Sequence, residues 1–217
     1  MTFLILPGAG FSGSAWAGVA EELGAVVLPV PDLGSVADMA DAVAAQVAEL
    51  DVTGPLVTVG ASLGAVVALE LGWRTEVSGM VAMAAGFGIR VGRSTLSLLD
   101  DAGPEVFDQV ARSGLGHPVE EHVRARREDL ASRADGVMYR QLAALREHRA
   151  REPRRVVPTV VFQGLLDRSV RPEDQLELAQ RCGAVVRVLE EVGHSPYLEA
   201  PDEVVRWSRV VEAAAGR

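Results

Sequence analysis

The chain has 217 residues, 48% of them apolar and 24% charged, which is enough apolar material for one folded domain and too much for a disordered chain. The 30 acidic and 21 basic side chains leave a formal charge of −9, which argues against nucleic acid or an anionic lipid surface as a general partner. Every base is an arginine and there is no lysine, so chemistry that needs a lysine amine, such as a Schiff base, is excluded.

Phe3-Leu4-Ile5-Leu6 reads as a strand, and Ala15 to Leu23 as a helix beyond a Gly-rich turn. Ala25 to Leu28 is a second strand, after which Val36, Met39, Ala40, Val43, Val47 and Leu50 recur at helical spacing on one face. Leu56 to Val59 is a third apolar run and leads through a turn into the apolar helix Leu63 to Leu71. Gly79 to Ala84 forms a fourth strand. Thr159 to Phe162 and Val185 to Leu189 form two more, each followed by a helix. The last helix, from about Pro201, is expected to bury Val204, Trp207, Ser208 and Val211. Strands that are apolar throughout and alternate with helices imply a parallel sheet covered on both faces, with right-handed connections. The rhythm breaks once, between Gly86 and Val156, where helical patterns follow one another with no strand between. This segment reads as a helical insertion over one end of the sheet. Its arginines alternate with Glu120, Glu121, Glu128, Asp129, Asp135, Glu147 and Glu152, the pattern of a solvated face.

Gly60-Ala61-Ser62-Leu63-Gly64 stands between a strand and a helix. A strand that turns abruptly into a helix brings backbones close, and small residues two before and two after the serine permit it. The serine then sits at the C-terminal edge of the sheet over a helix N-terminus, with the Leu63 amide aimed where an oxyanion would form. A Gly-rich turn with an ordinary capping serine would look the same, so the motif needs partners. A serine nucleophile needs a base, and the base an orienting acid. His117, His122 and His148 fall in the insertion. Only His194, in Val192-Gly193-His194-Ser195-Pro196, follows a strand. Asp32 and Asp167 are the acids placed after strand ends. Asp32, Ser62, Asp167 and His194 all lie where open α/β sheets bind ligands, and the order Ser, Asp, His suits Asp167.

With these residues in place the chain resembles the α/β-hydrolase fold proteins of the carboxylesterase and lipase-like superfamily. Pro7-Gly8-Ala9-Gly10-Phe11 with Trp16 resembles the family's His-Gly-x-Gly oxyanion loop and its downstream Trp. Pro31-Asp32-Leu33-Gly34-Ser35 resembles a shortened Asp-Leu-x-Gly turn, and the serine elbow is the third landmark. The fourth is Gly164-Leu165-Leu166-Asp167 followed by Gly193-His194 and Leu198-Glu199-x-Pro201-Asp202. The resemblance implies Ser62 as nucleophile, His194 as base, Asp167 as acid, and the Ala9 and Leu63 amides as oxyanion hole. It also implies about six parallel strands in the order 2-1-3-4-5-6, with helices on both faces. Residues 1–85 and 157–217 would form the core, and residues 86–156 a small helical cap with a connecting helix. The family's two preceding strands are not matched. Pro7 stands where the family has His, so whatever that histidine normally holds must be held by another group.

Phe11, Phe87, Met138, Tyr139 and Tyr197 are candidates for an acyl or alkyl pocket. Asp32 reads as a turn former, and His117, before Pro118, as a loop histidine. Gly8-x-Gly10-x-x-Gly13 is a weak dinucleotide pattern that the oxyanion loop explains better. No metal-ligand spacing occurs and no cofactor is expected. Cys182 is the only cysteine, which excludes an internal disulfide and fits a reducing, cytoplasmic setting. Residues 2–20 carry no charge, but Pro7, Gly8, Gly10 and Gly13 interrupt them, so neither a signal segment nor a membrane span is expected. The resulting expectation is a serine hydrolase that cleaves a small carboxylic ester, lactone or thioester through an acyl-enzyme. A lyase, a carbon–carbon hydrolase or a cofactor-free perhydrolase could use the same three side chains. A non-catalytic ligand receptor on this fold is the third class.

Overall fold

The computed structural model describes residues 1–50, 54–100, 104–133 and 135–216. Residues 101–103 and 134 of the expected insertion therefore lie outside the described residues. Six strands pair in parallel: Thr2–Leu6 (β1), Val26–Val27 (β2), Leu56–Ala61 (β3), Gly79–Met83 (β4), Thr159–Gly164 (β5) and Val185–Leu189 (β6). They form one sheet in the order β2-β1-β3-β4-β5-β6, the order the resemblance implies. The chain runs outward from β1 to β2, then returns to place β3 on the other side of β1. The crevice at that reversal, above the C-terminal ends of β1 and β3, is where such sheets bind ligands.

Side-chain alternation along the strands builds two cores. Leu4 and Leu6 of β1, Met80 and Ala82 of β4 and Val161 of β5 face one way, toward Val36–Glu49 (α2), Leu63–Leu71 (α3) and Pro172–Cys182 (α8). Phe3, Ile5, Val57, Val59, Val81, Met83, Val160 and Phe162 face the other way. They meet Ala17–Leu23 (α1) and the last long helix, which spans Pro201–Ala215. Each fully buried phenylalanine contributes roughly 2–3 kcal/mol of burial free energy. All nine residues of α3 are buried, Glu70 included, because this helix packs on the centre of the sheet. Ser35 caps α2 by accepting a hydrogen bond from the Asp38 amide at 3.1 Å.

Three expectations change at the edges. The second strand shrinks to two residues, which are only half-buried, because β2 has a single neighbour. The last strand is not buried along its length either, Val185 and Val188 being exposed, for the same reason at the other edge. Trp207 is half-buried rather than a core residue. It lies on the shoulder of the last helix, with the Arg187 guanidinium 4.9 Å from its ring and its Nε1 donating to Glu203 at 3.2 Å.

Between β4 and β5 the chain forms Arg93–Asp100 (α4), Pro104–Ser113 (α5), Glu120–Ala131 (α6) and Val137–Glu147 (α7), with no strand among the described residues. α5 packs on α6, α4 packs on α7, and α7 also touches α2 and α3. Among the described residues no helix is long and apolar enough to cross a membrane.

Candidate active site

β3 ends at Ala61 and α3 begins at Leu63, so Ser62 alone makes the turn, at φ 53° and ψ −120°. Such a conformation costs an L residue about 1–3 kcal/mol and persists only where its surroundings enforce it. Here the Ser62 amide donates to the Met83 carbonyl at 2.9 Å. The flanking glycines are steric requirements. A Cβ on Gly64 would stand 1.9 Å from the Leu6 carbonyl oxygen, and one on Gly60 would stand 2.7 Å from the Ala65 backbone.

His194 and Asp167 follow β6 and β5. The His194 Nδ1 lies 3.1 and 3.0 Å from the two Asp167 carboxylate oxygens. Asp167, its side chain 1% exposed, also accepts from the amides of Ser169 (2.8 Å) and Val170 (3.1 Å). Burial opposes its ionisation, but the neighbouring imidazole charge, the Nδ1 bond and the two amides outweigh that and hold its carboxyl below the usual value. The loop carrying His194 is pinned from several sides. Its amide donates to Gly114 at 3.0 Å, and Glu199 accepts from the Gly193 amide (3.0 Å) and the Gly116 amide (2.7 Å). Glu199 of the Leu-Glu-x-Pro-Asp segment is thus a clamp between the histidine loop and the insertion.

The loop after β1, which begins at Pro7, is held by the insertion. Asp129 of α6, wholly buried, accepts from the amides of Ser12, Gly13 (3.0 Å) and Ala15 (3.0 Å) and from the Ser12 hydroxyl (2.6 Å). Gln141 of α7 accepts from the Gly10 amide at 2.7 Å and donates to the carbonyls of Val30 (2.9 Å) and Pro31 (3.2 Å). Trp16 stacks on Tyr197 at 4.1 Å between centroids, which joins this loop to the helical turn after His194. Among the described residues neither the Ala9 nor the Leu63 amide donates to a protein acceptor.

Ser62 and His194 line one cavity of about 370 Å³, with Ala9 on the same wall. Of the five pocket candidates, Phe11, Met138 and Tyr197 line it. Phe87 and Tyr139 do not, and those two expectations are corrected. Phe87 packs into the core between the sheet and α8, under the Arg181 guanidinium at 3.9 Å. Tyr139 sits next to Met138 on α7, and one step around a helix turns its ring to neighbouring clefts. Asp32 pairs with Arg140 at 2.9 Å and does not reach His194. His117 pairs with Glu191 at 2.7 Å on the surface. A separate cleft of about 320 Å³ lies at the opposite end of the strands, lined by Arg74, Met80 and Thr159, and holds none of the candidate residues.

The reading of the insertion's charges as a solvated face is wrong for two residues. Arg126 and Asp129 are buried, on the same stripe of α6 as buried Val123 and Leu130. Charges at helical spacing from apolar residues were the available signal, obscured by the charges that surround them. Among the described residues no group of His, Cys, Asp or Glu is arranged to hold a metal ion.

The fold recurs in solved structures. The chain is similar to a thermophilic esterase, with TM-score 0.82 and 20% identity over 99% of this chain and 90% of that one. It is similar to a hydrolase from Oleispira antarctica, with TM-score 0.83 and 15% identity over 97% and 90% of the two chains. An N-acyl homoserine lactone degrading enzyme aligns with TM-score 0.79 and 20% identity over 97% and 92%. No curated protein matches the sequence, and identities this low establish a shared fold. The alpha/beta hydrolase family model, however, matches residues 3–207, nearly the whole chain and all four landmarks. The chain belongs to the alpha/beta hydrolase family.

Proposed function

We propose that this protein is a serine hydrolase of small carboxylic esters, lactones or thioesters. The observation that carries the reading is the His194–Asp167 pair opening on the same cavity as Ser62, on a strained turn. The Ser62 hydroxyl attacks the substrate carbonyl while the free nitrogen of His194 takes its proton. Asp167 orients the imidazole and stabilises the cation that forms. The Ala9 and Leu63 amides, unspent on protein acceptors, bind the oxyanion. His194 returns the proton to the departing alcohol or thiol and leaves an acyl-enzyme. A water then gives its proton to His194 and attacks the acyl carbon, and His194 passes that proton to the Ser62 oxygen as the acid product leaves. No metal or other cofactor enters these steps. The esterase and lactone-degrading neighbours support an ester or lactone as the bond cleaved.

The helices between β4 and β5 supply the cap over this cavity and the helix that connects it back to the sheet, on a core made of the rest of the chain. The protein works in the cytoplasm, in keeping with a single cysteine, Cys182, that is buried and free.

A fluorophosphonate probe tests the nucleophile. One label on the Ser62 peptide, lost in Ser62→Ala together with ester hydrolysis, is the expected result. A label that survives Ser62→Ala, or no label at all, removes the assignment.

A further inference from the structure

The Ser62 cavity is basic in an acidic protein. Arg90, Arg126 and Arg168 line it beside His194, and among the described residues no aspartate or glutamate does, although the chain carries 30 acidic side chains. Asp167, close behind, is occupied by His194 and two amides.

Arg126 is the informative member. It is 3% exposed, yet its donors reach only neutral acceptors. These are the carbonyls of Ala111 (2.9 Å) and Val110 (3.3 Å), the Ser195 hydroxyl and the Tyr197 hydroxyl (3.4 Å). Asp129, one turn along α6, accepts its hydrogen bonds from the loop after β1 and none from Arg126. A buried guanidinium with no carboxylate bonded to it is costly. The contrast within this protein is direct, since half-buried Arg74 has both Asp41 and Glu70, and Arg151 shares Glu70. Neither rim arginine makes a hydrogen bond or ion pair with a carboxylate among the described residues. Asp174, near Arg90, pairs instead with Arg171 at 2.7 Å, and Arg168 has no hydrogen-bond or ion-pair partner among the described residues.

We infer that the substrate of this site carries a carboxylate, which Arg126 binds with Arg90 and Arg168 at the mouth. The inference rests on the ester-hydrolase reading above and names its substrate class. Ile89, Leu99 and Met138 supply an apolar wall in a cavity of about 370 Å³. The substrate is therefore a short apolar unit with a cleavable acyl bond and an anionic end, such as a half-ester of a small dicarboxylic acid.

Two pairs of isosteric probes test this. On the acyl side, the para-nitrophenyl half-ester of adipic acid is compared with that of adipic acid monoamide. On the alcohol side, meta-carboxyphenyl butyrate is compared with meta-carbamoylphenyl butyrate. In at least one pair kcat/KM favours the carboxylate by about 10- to 100-fold, the size expected of a desolvated charge-assisted hydrogen bond. That ratio falls with added salt, falls in Arg90→Gln and Arg168→Gln, and falls furthest in Arg126→Gln. If Arg126→Gln does not fold, the two rim substitutions decide. Ratios at or below one in both pairs, with Ser62 labelled and the neutral esters cleaved, overturn the charge inference and leave the hydrolase reading standing. A ratio that none of the three substitutions lowers overturns it as well. Absence of both label and turnover removes the hydrolase reading instead. Titration calorimetry of adipate against adipamide then decides the charge question, and equal binding overturns it.

Discussion

The Gln141 side-chain oxygen accepts the Gly10 amide hydrogen at 2.7 Å, across 131 positions of sequence. With it, a helix inserted between β4 and β5 grips the loop that presents the Ala9 amide, and Asp129 grips the same loop from α6.

On the proposed mechanism Gln141 is a positioning residue for the oxyanion donor. Gln141→Leu should lower kcat by about 10- to 100-fold, somewhat less than the loss of a donor itself, with KM nearly unchanged. Steady-state kinetics on one neutral ester checks this, and equal losses in kcat and 1/KM would indicate general loosening instead. Asp129→Ala strands buried amide donors and should cost about 3 kcal/mol or more in urea unfolding.

The serine turn should tolerate no side chain at Gly64. Gly64→Ala drives a methyl into the Leu6 carbonyl and should cost about 3 kcal/mol or more, or prevent folding. Gly18 is the control, because it lies on α1 with nothing within 4 Å of its added Cβ. Gly18→Ala should stabilise the protein by about 0.5 kcal/mol. Thermal unfolding of the two variants side by side reads both signs.

Asp167→Asn should leave a folded protein with kcat lower by about 10³–10⁴, since the imidazole loses its tautomer and its counter-charge. The pH dependence of stability has a definite sign. The Asp167 carboxyl is held below its ordinary value in the fold, so it adds stability above the ordinary aspartate range near 3.9. That contribution fades as pH falls through its own lower value. Denaturant unfolding of wild type and Asp167→Asn should therefore differ most above about pH 4 and converge in stronger acid. A gap that widens on acidification would contradict the cause assigned here.

Size should show in substrate choice. A cavity of about 370 Å³ sits near the lower end of the usual range for small-ligand sites. Hydrolysis rates along a ladder of aryl esters from acetyl to palmitoyl should peak among the short acyl chains. A steady climb to palmitoyl would mean that the cavity opens far wider than it does here.

Much of the fold was legible because strands buried on both faces are written as continuous apolar runs, and each helix keeps its stripe. The apolar pattern lost meaning at the sheet edges, where β2 and β6 have one neighbour each and half their surface faces water. Ser62, Asp167 and His194 were legible as candidates because each follows a strand, and strand ends gather at one edge of a parallel sheet. Phe87 and Tyr139 were misplaced because an aromatic residue looks alike in sequence whether it faces a cavity, a core or a surface cleft. Arg126 and Asp129 were missed because one charge on an inward stripe is hidden among charges that face solvent.

The sequence by itself determined the strand and helix rhythm, the landmarks of the alpha/beta hydrolase family and the glycines without which Ser62 could not turn. These are local properties, set by periodicity and by the volume a side chain occupies next to its own backbone. Only the tertiary structure decided which residues of the insertion reach the loop after β1 and which arginine is buried beside His194. Those contacts join positions more than 60 apart in sequence, Arg126 with Ser195 and Gly13 with Asp129. No local pattern encodes such a pairing, because it arises only when separate elements pack and a charged side chain must find its partner in a place water no longer reaches.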